Sequence, residues 1–444
     1  MTAEILIMNR EAVALAADSA VTLGEGEKIF TSANKIFSLS RHKPIGIMIY
    51  GNANFMSVPW ETIIKMYRKR YADIEFPTLK EYAFHFIEYL KDYVNIISEE
   101  EKARFFEANV GGYFERIKAI INKEIDKYLT EKEQIEVTEI KKIMTRILNR
   151  EYQVWQKTEL LPNATEEHIK RFEEKYKENI IKVKNIVFEK LPFSKSQTDK
   201  LVEIAISLAL KAPEKLFHSG VSGIVIAGFG ENEIYPAVQS FHIEGIVDDF
   251  LKYKEYNYDQ IDYKHNASIM PFAQGEEVGT FIEGINPRYY RDLKIDYSQI
   301  FQKYSELSTD YVKKEIALYI DNTNKEASEK KFIKLQKNLK KISKGILDDY
   351  WKRMDDYRLE KFVFPLLTIV SMLPKNEIAT VAESLVNLTS FRKRVSLELE
   401  TVGGPIDVAV ISKGDGFIWI KRKLYFEKDL NPRYMHNYNM GDIK

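Results

Sequence analysis

The chain has 444 residues, of which 66 are basic and 66 are acidic, so its formal net charge is zero. This balance argues against a nucleic-acid-binding protein, because phosphate binding normally requires an excess of basic residues. The complete absence of cysteine excludes disulfide scaffolds, thiol nucleophiles and cysteine-ligated metal sites. Charged residues interrupt the first apolar stretch, and no later apolar run is long enough to cross a membrane, so we expect a cytoplasmic chain.

The N-terminal part consists of short apolar runs separated by turn residues, a pattern typical of β-strands. Residues 4–8 and 12–17 are predicted to form a β-hairpin around a turn at residues 9–11. Residues 36–39 and 44–50 are two further predicted strands. The near-continuous apolar run of the second indicates a strand that is buried on both faces.

A long helical region follows, from residue 58 to about residue 210. Its apolar residues recur at helical spacing, and lysine and glutamate fill the positions between them. The predicted helices include residues 138–156, 166–188 and 199–210. The pair Gly111-Gly112 is predicted to break this region internally.

Strand-like sequence returns at residues 222–228 and 233–244, and a second helical block extends from about residue 299 to residue 394. The chain then has two more predicted strands, residues 406–412 and 417–422. Because the strands are dispersed through the whole chain, we expect them to form one sheet system within an α+β fold.

The common catalytic motifs are absent from the sequence. The seven histidines do not fall at metal-binding spacing, and the chain has neither a glycine-rich phosphate loop nor a nucleophile elbow. We therefore expect no metal and no organic cofactor.

The second residue, Thr2, offers a different chemistry. A small second residue permits removal of Met1, after which Thr2 would carry a free α-amine beside its own hydroxyl. The hydroxyl would then be the nucleophile and the amine its general base, since the pKa of an α-amine, about 7.7–8.0, is close to a working pH. An ordinary N-terminus is the alternative, because threonine is common at this position.

The residues after Thr2 resemble the opening of a proteasome β subunit and of its bacterial ATP-dependent relative. In that family a strand beginning at the terminal threonine turns into a second strand that ends in Ala-Asp or Ala-Glu, with a threonine four residues further on. Asp18 and Thr22 occupy these two places.

Three further segments carry the resemblance. Asn34-Lys35-Ile36-Phe37 is similar to the strand with the active-site lysine, offset by about one residue. Residues 46–51 resemble the strand whose last glycine, here Gly51, lines the catalytic cleft. Residues 403–411 resemble the penultimate strand of the family.

The resemblance implies an N-terminal nucleophile (Ntn) hydrolase: a four-layer αββα sandwich with two stacked antiparallel sheets and large helical insertions. The expected domains are a proteasome-like core at 1–60, 215–295 and 370–430, helical insertions at 61–214 and 296–369, and a C-terminal tail at 431–444.

The family also implies a role for each matching residue. Thr2 is the nucleophile, Lys35 lowers the pKa of its hydroxyl, and Asp18 holds Lys35 charged and oriented. The backbone N–H of Gly51 binds the oxyanion, because a residue without a Cβ lets the substrate approach closely. Thr22 binds an extended substrate backbone. Each also has an ordinary alternative, such as a surface lysine or a turn residue, but their common order and spacing favour catalysis.

Two segments depart from the family pattern. An Asp-x-x-Ser-Gly loop before the penultimate strand is replaced by residues 399–404, and a Gly-Ser-Gly before a helix is replaced by residues 271–275. Thr401 and Gln274 are the candidates to substitute there, and we include them among the substrate-binding residues. The departures leave open a different amide substrate or a slow, regulated enzyme.

The predicted function is therefore a threonine-type peptidase that cleaves amide bonds through an acyl-enzyme on Thr2. A non-catalytic assembly or binding subunit of the same fold is one alternative, and an amidohydrolase of small molecules is another. The expected partners are a polypeptide or amide substrate and further copies of the chain, in a ring-like homo-oligomer. The sequence leaves open an ATPase or adaptor that binds the helical insertions, and indicates neither nucleic acid nor membrane.

Overall fold

The structure is a computed structural model that describes residues 3–23, 28–132, 134–189, 191–212, 220–317, 325–396, 402–433 and 435–436. Its strands, in chain order, are β1 Glu4–Asn9, β2 Ala12–Ala17, β3 Val21–Leu23, β4 Lys28–Phe30, β5 Ile36–Ser38, β6 Ile45–Gly51, β7 Asn54–Phe55, β8 Val58–Pro59, β9 Ser222–Gly228, β10 Ala237–Val247, β11 Phe250–Gln260, β12 Ala267–Ala273, β13 Asp407–Ser412 and β14 Gly416–Lys421. Its helices are α1 Trp60–Arg70, α2 Leu79–Asp92, α3 Glu99–Glu131, α4 Val137–Lys157, α5 Glu166–Phe188, α6 Lys195–Leu210, α7 Gly275–Glu283, α8 Pro287–Ala317, α9 Lys325–Arg358, α10 Phe364–Val370 and α11 Lys375–Arg394.

Most of the strands belong to two antiparallel five-stranded sheets. The strand order is β12-β1-β2-β13-β14 in the first sheet and β11-β10-β9-β6-β5 in the second. Strands that neighbour each other in a sheet are often far apart in the chain, as β1 and β12 are. Together with the long helices, these two sheets confirm the predicted α+β class.

The chain divides into two compact units. The first comprises residues 1–33, 261–410 and 419–444, and the second comprises residues 34–260 and 411–418. In the first unit, β1 and β2 are buried along their whole lengths, and α11 packs against them. Their shared core is rich in alanine, which lets a helix lie close to a sheet: Ala12, Ala14, Ala16, Ala379 and Ala382.

The second unit contains two hydrophobic cores. One lies between its sheet and helices α1 and α2, with Trp60, Tyr82 and Phe86 among its fully buried side chains. The other lies within α3–α6, where the buried face of α3 follows helical spacing at Phe106, Val110, Phe114, Ile117 and Ile121.

Several predicted elements are confirmed with little change. The hairpin is observed as β1 and β2, the strand at 222–228 is β9, and the helix at 166–188 is α5. In β1, β2 and β9 every residue is buried and most are apolar, and α5 has a regular apolar face. In them, burial and local propensity favour the same structure.

One predicted strand was misplaced, and two strands were missed. The strand predicted at 233–244 is observed at Ala237–Val247, since Pro236 has no backbone N–H for a sheet ladder and the strand begins after it. Strand β11 was missed because it is a half-exposed edge strand with the polar sequence Phe-Leu-Lys-Tyr-Lys-Glu-Tyr-Asn-Tyr-Asp-Gln. Strand β12 was missed as well.

The predicted break at Gly111-Gly112 was also wrong, because α3 continues through both glycines. Each glycine costs a helix about 1 kcal/mol relative to alanine. The neighbouring side chains Val110, Tyr113 and Phe114 are buried in the helical core, and their burial outweighs that cost.

The turn between β1 and β2 is held by Asn9, whose side chain is fully buried. Its Oδ1 accepts hydrogen bonds from the backbone N–H groups of Glu11 and Ala12, at 3.0 and 3.2 Å. Its Nδ2 donates to the carbonyl oxygens of Val370 and Leu373, at 3.1 and 2.8 Å. Asn9 therefore joins the first hairpin to the end of α10.

We expect Asn9→Asp to destabilise the protein by about 3 kcal/mol, although the two side chains have the same shape. An aspartate offers only oxygens to the carbonyls of Val370 and Leu373, and its charge would be buried. Urea unfolding of the wild type, Asn9→Asp and the exposed control Arg10→Gln measures the difference. Equal midpoints for all three proteins would contradict this role.

Candidate functional site

Asp18 follows β2 directly, and only 1% of it is exposed. Its Oδ1 accepts a hydrogen bond from the Ala3 backbone N–H at 3.0 Å, and the Asp18 N–H donates to the Ala3 carbonyl at 3.1 Å. Its Oδ2 accepts from the N–H groups of Ala20 at 3.2 Å and Gly403 at 2.9 Å. One buried carboxylate thus fixes the entry to β1, the end of β2 and the segment before β13.

Ser19 strengthens the same junction. Its N–H donates to the Gly403 carbonyl at 3.2 Å, and its hydroxyl donates to the Pro405 carbonyl. Gly404 has a φ of +80°, and a Cβ there would lie 2.7 Å from the Thr31 Cβ. The segment that leads into β13 therefore has a fixed path beside the start of β1.

Two of the predicted site residues, Thr2 and Thr401, lie outside the described residues. In the sequence, Thr2 immediately precedes Ala3, and Thr401 lies two residues before Gly403; Asp18 holds the backbone of Ala3 and of Gly403. Thr22 lies in β3, opposite Ile29 of β4.

Lys35 belongs to the second unit and immediately precedes β5. Only 5% of Lys35 is exposed. It is therefore not a surface lysine, which was the alternative to a catalytic role. Its carbonyl accepts a hydrogen bond from the N–H of Ile49 in β6 at 3.0 Å, so the sheet fixes its backbone. The pairing of Lys35 with Asp18 stays a prediction.

Gly51 ends β6 with a φ of +81°. A Cβ on this residue would lie 2.3 Å from the Val221 carbonyl oxygen, so the neighbouring chain already requires glycine here. The next residues are fixed as well, because the Ser222 hydroxyl accepts from the Trp60 indole N–H at 2.8 Å and donates to the Asn52 carbonyl at 3.0 Å. Gly51 is itself exposed at the end of the strand.

Gln274 connects β12 to α7 and has left-handed backbone angles, with φ 49° and ψ 43°. The helix that the family pattern implies at this point is present and begins at Gly275. Gln274 lies in the first unit, as Asp18 does. Its role in substrate binding stays a prediction.

A cluster that the sequence did not indicate lies beside Gly51. The Tyr50 hydroxyl is 2.9 Å from His242 Nε2, and the His242 ring stacks on Tyr256 at 4.2 Å between centroids. The Tyr50 ring covers Gly223, where a Cβ would lie 1.9 Å from the Tyr50 Cζ. Glycine is required at position 223 because any side chain there would overlap the Tyr50 ring. Tyr50 and His242 lie on different strands, far apart in the chain, so no local sequence pattern indicates that they pair.

Burial, and to a smaller extent the nearby cation of Lys254, lowers the pKa of His242 to about 4 from its usual 6.5. The folded protein therefore binds fewer protons than the unfolded chain between these values, and its stability falls as the pH drops from 6.5 to 4. We expect this residue to account for about 2 kcal/mol of the loss. Urea unfolding at pH 7 and pH 4 should show a smaller loss for His242→Gln than for the wild type, whereas equal losses would contradict the assignment.

The described ranges contain neither a metal-binding cluster nor a membrane-spanning helix. Among these residues, no group of three or more histidine, aspartate or glutamate side chains is arranged to hold a metal ion. No helix within them is long and apolar enough to cross a membrane.

Comparisons with known proteins give only a weak likeness. Neither a protein-family model nor a curated protein matches the chain. Among solved structures, Anbu (ancestral beta-subunit) from Yersinia bercovieri aligns over 98% of this chain and 95% of its own, with 10% identity and a TM-score of 0.28. An Anbu (Gly-1) mutant from Hyphomicrobium sp. strain MC1 aligns over 100% and 98%, with 8% identity and a TM-score of 0.26. At such TM-scores neither likeness establishes a family or an activity for the chain.

Proposed function

We propose that the chain is a threonine-type N-terminal nucleophile hydrolase that cleaves amide bonds, with polypeptides as its substrates. The observation that carries this proposal is the hydrogen bonding of Asp18. Its buried carboxylate holds the N–H of Ala3, the residue after Thr2, and also the N–H of Gly403. A nucleophile at position 2 would thus start from an anchored backbone, as positioning for catalysis requires.

The reaction begins after Met1 is removed. The Thr2 hydroxyl oxygen bonds to the substrate carbonyl carbon as its proton passes to the α-amine of the same residue. The backbone N–H of Gly51 stabilises the oxyanion. The C–N bond then breaks, and the ammonium group gives its proton to the leaving amine. Water hydrolyses the resulting ester, which releases the acid and restores Thr2.

The other residues position these groups. The cation of Lys35 stabilises the developing alkoxide, and its burial supports this role because charge interactions are stronger away from solvent. Thr22, Gln274 and Thr401 hold the substrate backbone. The family pattern also leads us to propose that several copies of the chain assemble, with the helical insertions contacting other proteins.

Intact-mass spectrometry with a covalent probe tests this function. The purified protein should lack Met1, and a peptide epoxyketone should add once per chain, since it reacts with a hydroxyl and an amine on the same residue. Peptide mapping should place the adduct on Thr2, and Thr2→Ala should remain unmodified. A chain that keeps Met1 and takes no adduct is instead the non-catalytic subunit.

A further inference from the structure

Helix α8 exposes a row of large apolar side chains. Ile300, Tyr304, Leu307 and Tyr311 are 59%, 67%, 59% and 65% exposed, and we call these four residues the α8 stripe. Their spacing of four, three and four residues is the heptad spacing of a helix that packs against another helix. Isolated exposed apolar residues are ordinary, but a row in this register forms a contact surface.

The contact of α8 with α9 does not use this stripe. On its other face, Ser305 and Thr309 are buried, and the Ser305 hydroxyl is 2.8 Å from that of Ser343 in α9. Lys294 Nζ lies 3.0 Å from Asp355 Oδ2 of α9, so α9 also occupies one flank of α8. Ser305 and Thr309 thus face α9, as do the large side chains Tyr290 and Tyr297, which contact Trp351, while the four stripe residues face outward.

We infer that the α8 stripe is an interface between two copies of this chain, whose α8 helices pair antiparallel. When Tyr304 lies opposite Leu307 of the second copy, Ile300 lies opposite Tyr311 of the second copy. Two-fold symmetry repeats both contacts, so the four side chains cover one another.

Two charged residues beside the α8 stripe favour the antiparallel pairing over a parallel one. Lys303 and Asp310 immediately precede the two tyrosines, are exposed, and form no ion pair within the part of the chain that the structure describes. In the antiparallel register, Lys303 faces Asp310 of the second copy, and symmetry makes this ion pair twice. A parallel pairing would instead place Asp310 beside Glu315 of the second copy, where the charges repel.

Disulfide crosslinking tests the register, because the natural chain has no cysteine. Ile300 and Tyr311 are about 16 Å apart along one helix, too far for a disulfide within the chain. Under mild oxidation, the double variant Ile300→Cys/Tyr311→Cys should therefore form a covalent dimer. Neither single variant should do so, since identical residues of the two copies are also about 16 Å apart.

An equally spaced pair off the stripe, Gln302→Cys/Lys313→Cys, is the matched control and should stay uncrosslinked. A dimer formed by Ile300→Cys alone would show a parallel pairing and overturn the inference. Failure of the double variant to dimerise would overturn it too, including the case in which another protein or a lipid surface covers the stripe.

A charge exchange tests the same contact in solution. Lys303→Asp and Asp310→Lys each place like charges opposite one another twice, and each should weaken self-association at least about tenfold by sedimentation equilibrium. The double exchange restores both ion pairs and should restore the association. A double variant as weak as the single ones, or a wild type that stays monomeric, would overturn the inference. The result does not depend on the proposed hydrolase, because these residues take no part in that mechanism.

Discussion

Replacement of Thr2 by alanine is expected to reduce amide hydrolysis at least about a thousandfold, to the level of the buffer. The variant keeps the α-amine but lacks the hydroxyl that attacks the carbonyl. The rate is measured as amine release from a panel of fluorogenic peptide amides. Unchanged turnover would remove the proposed mechanism, whatever the fold of the chain.

Two controls separate chemistry from folding in that experiment. Thr2→Ser keeps a hydroxyl beside the amine and should retain measurable turnover. Thermal unfolding of Thr2→Ala should match that of the wild type, because the substitution leaves in place the backbone N–H of Ala3, which donates a hydrogen bond to Asp18. A variant that is both inactive and unstable would point to a structural role instead.

The parts of the fold that sequence predicted well are those in which local pattern and burial agree. Strands β1 and β2 are fully buried, and all their residues except Glu4 and Asn9 at the ends of β1 are apolar. Helix α5 has both a capping box at Thr165 and a regular apolar face. Strand β11 gave no such signal, because pairing with β10 rather than apolar content makes it a strand. Tertiary packing also determines α3, where it outweighs the unfavourable helix propensity of two glycines.

The candidate site was predictable only as an ordered set of residues. The family resemblance predicted that Asp18 pairs with Lys35, but nothing in the sequence indicated its hydrogen bonds with the backbone of Ala3 and Gly403. Its partner Gly403 is 385 residues away, and the partner Val370 of Asn9 is 361 residues away. Contacts at such separations leave no periodicity in a single sequence, so only the folded chain reveals them.

The burial of Lys35 was not predictable either, since lysine is usually at the surface. Burial of a cation costs free energy that ordinary packing does not return. A lysine retained in such a place is therefore consistent with a chemical role.

Lys35→Met should lower kcat by about a thousandfold, equivalent to about 4 kcal/mol of transition-state stabilisation, while KM changes much less. Methionine preserves most of the length and apolar contact of the lysine side chain and removes only the cation. The matched control is Lys102→Met in α3, which removes another buried lysine, 2.6 Å from Glu99 and outside the proposed site. Turnover per folded molecule should fall for Lys35→Met alone. Equal losses in the two variants would show that a buried lysine supports only the fold, and a small loss for Lys35→Met would place this cation away from the reacting atoms.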